Sequence, residues 1–447
     1  MNTLLAISPI DGRYREITEN MSEYFSEYAF IKYRVMVEID WLKYFLKNIL
    51  KEEDFFSTKL AEIVEKFDLK EAERVKEIEK VTNHDVKAIE YYVREKLKEV
   101  KIEKYSSYVH FACTSEDINN IAYGKMIVDF LENILFKNIE TLILEVKKRS
   151  KELASIPMPS HTHGQMATPT TVGKELAVFV YRWESIFNLV KNIKLKGKFS
   201  GAVGNFNAHI LAFPEIDWLS HSRKFVEEEK LEFNPLTTQI ESHDVISILF
   251  GYIKNFNNIT MDFNSDMWLY ISNNYFKQNV VKTETGSSVM PHKVNPINFE
   301  NSMANIRIAN SIFDSLTNNL QISRMQRDLS DSSMLRNIGV AFAHTIISIK
   351  QTLKGFSKVE VNQIELNNEL ENHPEVIAEA IQTILRKNKY ENGYELLKEF
   401  SRGENHNLKE YRDFIKTLQI AEKDRELLLE LTPQNYTGLA EKLCNEI

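Results

Sequence analysis

Thr114-Ser115-Glu116-Asp117-Ile118-Asn119-Asn120-Ile121 opens the run that decides the fold. A hydroxyl residue followed three places later by a carboxylate has the form of a capping box. The apolar positions Ile118, Ile121, Val128, Leu131, Leu135, Ile139, Leu142 and Val146 then recur at helical spacing to about Leu153. At 1.5 Å per residue the run spans roughly 55 Å, about three times the length of an average helix. Pro157 and Pro159 end it. A helix that long cannot cover its own apolar stripe and calls for bundle partners.

Partners follow downstream. Val172, Leu176, Phe179, Trp183, Ile186, Val190 and Ile193 mark a second long helix, and Val245, Leu249, Tyr252, Phe256, Ile259, Phe263 and Tyr270 a third. Ile306, Ile312, Phe313, Leu316 and Leu320 mark a fourth, and Leu335, Ile338, Phe342, Thr345, Ile349 and Leu353 a fifth. Only 14 Gly and 10 Pro occur in 447 residues, so turns are few and elements long. The chain is therefore expected to be all-α, with three domains: an N-terminal helical domain over residues 1–112, a central bundle of five long helices over 113–356, and a small C-terminal helical domain over 357–447, where Pro374, Gly393, Gly403 and Pro433 separate shorter runs. In the first of these, one helix is expected from Ser22 to Leu50 and a charged one over residues 59–80. Thr82 with Asp85 reads as a second capping box, with Asn83 and His84 in the first turn of the helix it opens.

Composition narrows the function classes. Charged residues at 27% and hydrophobic ones at 43% are ordinary for a soluble globular chain. No run of 18 apolar residues exists, and the start lacks the basic flank of a signal peptide, so a cytoplasmic protein is expected. Cys113 and Cys444 are the only cysteines, too few and too far from His clusters for a disulfide framework or structural zinc. A net charge of −8 with no basic stripe argues against nucleic acid, so an anionic ligand would need a local cationic pocket.

Three stretches resist a helical reading. Ser160-His161-Thr162-His163-Gly164-Gln165-Met166 is a polar loop, in which two histidines without a third ligand at companion spacing do not make a metal site. Gly201-Ala202-Val203-Gly204-Asn205 lacks the Lys-Ser/Thr of a phosphate loop and reads as a tight turn with close backbone approach. Gly286-Ser287-Ser288-Val289-Met290-Pro291-His292-Lys293-Val294-Asn295-Pro296 crowds hydroxyls, cations and an amide just before a helix start, which suits an anion.

This last stretch resembles the loop G-S-x-x-M-P-x-K-x-N of the fumarase, aspartase, argininosuccinate lyase and adenylosuccinate lyase superfamily, matching every fixed position. Further stretches resemble the adenylosuccinate lyase family in its longer bacterial form: Asp11-Gly12-Arg13-Tyr14, Thr82-Asn83-His84-Asp85-Val86-Lys87-Ala88, His110 to Asn120, Thr162-His163-Gly164-Gln165, Thr237-Thr238-Gln239-Ile240-Glu241 and Gln326-Arg327-Asp328-Leu329. The resemblance implies elimination of fumarate from adenylosuccinate and from SAICAR, with no cofactor and no metal. It further implies that Arg13, Tyr14, Asn83, His84, Asp85, Thr114, Ser115, Gln239, Arg327, Ser332, Ser333, Met334, Leu335 and Arg336 surround the nucleotide, and that Ser288, Lys293, Val294, Asn295 and Asn301 hold the succinyl carboxylates. His163 would be the general acid and Ser287 the general base. The chain departs from the family at His161, usually Arg, and at Met166, often Pro.

Residue chemistry agrees with those roles. Removing a proton next to a carboxylate builds up negative charge that Lys293, Asn295 and helix N-terminal amides can stabilise, and an imidazole can protonate the leaving nitrogen near neutral pH. A serine serves as base only where its alkoxide is stabilised; otherwise His84 or His292 takes that role. Argininosuccinate lyase, aspartase and a non-catalytic helical scaffold are the alternatives. Apolar stripes too long for two small domains to cover, together with the resemblance, imply a homotetramer whose sites draw on several subunits.

Overall fold

The computed structural model describes residues 2–279, 290, 293–401 and 406–447. Short turns and helices lead to α1 (Glu27–Asn48), followed by α2 (Leu69–Thr82), α3 (Asp85–Glu99), α4 (Ser115–Phe130) and α5 (Phe136–Glu152). The strands β1 (Pro157–Thr162) and β2 (Gln165–Thr171) precede α6 (Val172–Asn192), α7 (Asp244–Ser272), α8 (Ile297–Asn319) and α9 (Ile338–Phe356). Shorter helices from Gln363 to Asn445 complete the chain. Among the described residues the strands form three two-stranded sheets and the rest of the regular structure is helical, so the all-α expectation holds in substance.

Two compact units are built from these elements. One comprises Met1–Ile139, Ile186–Asn258 and Ala304–Lys350; the other comprises Glu140–Ser185, Ile259–Met303 and Gln351–Ile447. In the first, the buried stripe Ile31, Val35, Ile39, Leu42 and Leu46 of α1 packs with Leu60, Val75, Ile89 and Val93. Trp41, fully buried, sets its ring 4.3 Å from Phe199 and 5.1 Å from Phe225. In the second, Val376, Ile381, Leu385, Tyr411 and Ile415 form a core over the C-terminal helices. Buried amides and hydroxyls fix register within each unit. Asn257 donates to Asn310 and Thr345, both at 3.0 Å, in the first, and Asn264 donates to Ser302 at 2.9 Å in the second. Each donor paired in this way avoids the 1–3 kcal/mol or so that an unsatisfied buried polar group costs.

Several boundaries differ from the sequence expectation, each for a local reason. The helix expected from Ser22 breaks at Ser26, which is extended and whose side chain accepts from the Ala29 amide at 3.1 Å, so α1 starts at Glu27. Residues 59–80 divide into two helices because Asp68 caps α2 through the amides of Lys70 and Glu71. Thr82 is not a cap; it is the last residue of α2. Asn83 closes that helix in the left-handed region (φ 51°), and His84 is the extended N-cap of α3, its Nδ1 accepting from the Lys87 amide at 3.2 Å. An imidazole nitrogen two atoms beyond Cβ can reach that amide, and Thr82, still helical, cannot. The box at Thr114 is present, with the Thr114 amide donating to Asp117 at 2.8 Å. Between α4 and α5 a π-turn, Leu131–Leu135, carries the chain through without a break. Cys113 and Cys444 are free thiols.

The expected polar loop around His163 is instead a β-hairpin. His161 pairs with Met166 and Thr162 with Gln165, leaving a two-residue turn at His163 (φ 56°) and Gly164 (φ 72°). Two consecutive positive φ angles give the turn whose twist matches paired strands, and Gly164 adopts its angle without strain. Polar side chains hide the alternation that normally betrays a strand.

Candidate active site

The first unit encloses a cleft of about 500 Å³. His84 and Asp85 reach it from the start of α3, Thr114 and Ser115 from the start of α4, and Gln239 from the segment before α7; Arg327, Ser332, Ser333, Leu335 and Arg336 line it from the segment before α9. Asp117 explains much of that convergence. Besides capping α4, it is fully buried, accepts from the amides of Ser200 and Gly201 at 2.9 and 3.1 Å, and pairs with the equally buried Lys198 at 2.9 Å. Lys198 in turn donates to the carbonyl of Gln239 at 2.8 Å, while the Gln239 side chain donates to Ala202 at 2.9 Å. The tight turn expected at Gly204 is what makes room: φ is +81°, and a Cβ there would lie 2.2 Å from the Thr237 carbonyl.

Along the cleft the charges are interlocked. Arg34, 3% exposed, pairs with Asp85 at 2.7 Å and donates from Nε to Asn119 Oδ1 at 2.9 Å. Asn119 Nδ2 donates to Glu116 at 2.7 Å, and Glu116 pairs with Arg327 at 3.1 Å. Arg327 also binds Asp331 and Ser332, each at 2.9 Å, and His243 lies 3.4 Å from Asp331. Burial opposes the charged form of Asp85, but Arg34, the Val86 amide and His84 together hold its carboxyl below the usual range. Burial raises Glu116 above it, with Arg327 and Asn119 offsetting only part of the effect. Asp331 is lowered despite its burial, through His243 and Arg327. Sequence reasoning misses Arg34, Glu116, Asn119, Phe30 and Tyr123 as cleft residues, although a charged Arg34 beside the apolar Ile31 and Val35 on α1 is a readable signal.

Arg13, Tyr14, Asn83 and Met334 do not line this cleft: Arg13 and Tyr14 sit on the terminal arm before a short helix, and Asn83 is the left-handed cap of α2. In the second unit, the hairpin places His163 at its exposed tip, where the side chain makes no hydrogen bond among the described residues. His161, on the strand beside it, has Nε2 3.6 Å from Glu369 and its ring against Tyr275; Thr168 donates to Glu379 at 2.5 Å, and Met166 packs on the C-terminal core. The hairpin is thus held just below its tip. Lys293, Val294 and Asn295 precede α8, with the Lys293 amide bonded to the Met290 carbonyl at 3.0 Å and the Val294 carbonyl to Gln278 at 2.7 Å; Asn301 lies in the second turn of α8. Ser287 and Ser288 lie outside the described residues.

Guanidiniums, hydroxyls, an amide and the ring of Phe30 make the cleft suited to an anionic ligand with a flat ring system. Because Nδ1 of His84 accepts from the backbone, the neutral ring carries its proton on Nε2 and offers a donor there. His163 has both nitrogens available.

A family described as lyase matches residues 12–309, and one described as adenylosuccinate lyase C-terminal matches residues 323–437. The chain is 45% identical over 449 residues to adenylosuccinate lyase of Legionella pneumophila (strain Corby), covering 99% of this chain and 98% of the relative. It is 43% identical over 453 residues to adenylosuccinate lyase of Escherichia coli (strain K12), covering 100% and 99%. Among solved structures, a fumarate lyase from Mesorhizobium sp. BNC1 superposes with a TM-score of 0.76 at 17% identity, over 96% of this chain and 97% of the other. The 3-carboxy-cis,cis-muconate lactonizing enzyme from Pseudomonas putida gives 0.75 at 16%, over 96% of each. At those identities the two structures speak for the fold alone.

Proposed function

Since the chain belongs to the adenylosuccinate lyase family, we propose that it eliminates fumarate from adenylosuccinate to give AMP, and from SAICAR to give AICAR, in purine biosynthesis. One observation carries this: identity of 43–45% to relatives of that name runs from end to end of the chain. The cleft of the first unit supports it, because Arg327 anchored by Ser332, with Thr114, Ser115 and Gln239 alongside, is chemistry suited to a purine nucleotide.

In the elimination, Ser287 takes the proton from the carbon next to a succinyl carboxylate, the C–N bond breaks, and His163 delivers a proton to the departing purine nitrogen. Charge accumulating on the carboxylates is met by Ser288 and by Lys293, Asn295 and Asn301, the last three near the N-terminus of α8. His84, donating from Nε2, orients substrate rather than accepting its proton. An exposed His163 with no hydrogen bond among the described residues is the state a shuttling acid needs, whereas the serine requires Lys293 or amide donors to stabilise its alkoxide.

The assembly belonging to this reading is a homotetramer in the cytoplasm, with each site completed by loops from more than one subunit. Exposed apolar side chains on the long helices, among them Leu144, Tyr181, Leu189, Trp268 and Ile308, supply surface for it. No helix among the described residues is long and apolar enough to cross a membrane. Purified protein should consume adenylosuccinate with equimolar appearance of AMP and fumarate. Release of fumarate from argininosuccinate but not from adenylosuccinate would sink the assignment.

A further inference from the structure

Arg34, Asn119, Glu116 and Arg327 meet in a fixed order in which every donor faces an acceptor, and one residue sets its direction. Arg34 has only donors, and an ionised Glu116 has only acceptors. Asn119 lies between them, 8% exposed, with Oδ1 toward Arg34 Nε at 2.9 Å and Nδ2 toward Glu116 Oε1 at 2.7 Å. Its carboxamide satisfies both neighbours without adding charge. We propose that Asn119 is a positioning residue for the lyase reaction: it holds Arg34 on Asp85, beside His84, and Glu116 on Arg327, so that both walls of the cleft are set for the nucleotide. The proposal rests on the adenylosuccinate lyase reading.

The connections run through elements far apart in sequence. Asp85 is the first residue of α3 and its neighbour His84 caps that helix, so a displaced Arg34 frees the turn that presents His84. At the other end, Arg327 is shared by Glu116, Asp331 and Ser332. A Glu116 released from Asn119 would swing further over Arg327 and compete with the ligand's anionic group. Asn119 therefore acts on binding through two neighbours, and the effect should fall mainly on KM.

The test is a polarity swap. Asn119→Asp sets an acceptor against the Glu116 carboxylate, and kcat/KM should fall roughly 100-fold, chiefly through KM. Glu116→Gln alone should also reduce it, by about tenfold, because Arg327 loses a partner. In the double variant Asn119→Asp/Glu116→Gln the glutamine donates to the new carboxylate and the net charge equals that of the wild type, while Arg327, which shares Glu116 Oε1 with Asn119, still lacks that acceptor; kcat/KM should recover about tenfold over Asn119→Asp, to the level of Glu116→Gln alone. Thermal melting of all four proteins reports whether they fold, and Asn119→Ser, smaller and uncharged, replaces Asn119→Asp in the comparison of KM with kcat if that variant is unfolded. A double variant whose loss equals or exceeds the product of the two single losses, or an Asn119→Ser that lowers kcat alone, overturns the positioning role. Wild-type protein inactive on adenylosuccinate would instead refute the functional reading, which is a separate outcome.

Discussion

The cleft of the first unit and the hairpin tip of the second treat their polar groups in opposite ways. In the cleft, Arg34, Asp85, Glu116, Arg327 and Asp331 are each tied to at least one opposite charge or amide, at distances of 2.7 to 3.1 Å. At the hairpin tip, His163 is exposed and its side chain has no hydrogen bond among the described residues, although the strands just below it are held by His161, Met166 and Thr168. A group that must hold an anion in one place gains when it is anchored before the ligand arrives, while a group that must give up and regain a proton is hampered by a permanent partner. His84 falls on the anchored side, since its Nδ1 is already committed to the Lys87 amide.

The largest effects should come from removing the groups that move protons. Ser287→Ala and His163→Ala are each expected to lower kcat by roughly 100-fold or more with unchanged melting, and His84→Ala to act more on KM. Near wild-type turnover in Ser287→Ala beside an inactive His84→Ala would move the base role to His84 and erase the contrast. Next in size is the anchored side. Arg34→Ala leaves Asp85 and Asn119 without their partner, and denaturant unfolding should show a loss of about 3 kcal/mol, at the lower end for a broken buried pair because the Asp85 side chain is one-third exposed. A variant as stable as the wild type would mean that the cleft is not pre-set by this pair.

Much of this architecture is legible in the sequence. The five long helices can be read because their stripes repeat over many turns and Gly and Pro are scarce. Ten of the residues expected around the nucleotide share one cleft because two helix starts and two pre-helical segments converge there, and both starts, at His84 and Thr114, carry capping signals. What the sequence hides is context. A short strand of Ser, His and Thr has no apolar alternation, and an internal helix cap at Ser26 or Asp68 does not interrupt a pattern judged by its hydrophobic residues. Asn119 and the role of Arg34 stay hidden because pairing that makes a buried charge tolerable is visible only when α1 and α4 are in place, even though the charge on the apolar face of α1 can be read.

A smaller effect should separate stability from the site. Glu229, buried beside Asp40 and Lys125, has a carboxyl pushed up to about 7, first by burial and then by Asp40. Its folded pKa exceeds the ordinary unfolded value, so the folded chain binds the extra proton; the stability it contributes is full below that ordinary value and declines as pH rises through about 7. Glu229→Gln should therefore melt higher relative to wild type at pH 8 than at pH 5, with activity unchanged. A pH-independent difference would place the carboxyl in its ordinary range.

The contrast between anchored cleft and free histidine matters most if His163 and Ser287 serve a common site from different chains. His163→Ala and Ser287→Ala proteins, each inactive, can be mixed in equal amounts under conditions that exchange subunits and assayed on adenylosuccinate. With the two groups supplied by different subunits, about one quarter of the sites in randomly mixed tetramers carry both wild-type residues, and activity should recover to about that fraction. No recovery, with subunit exchange verified by differently tagged chains, would contradict the shared site.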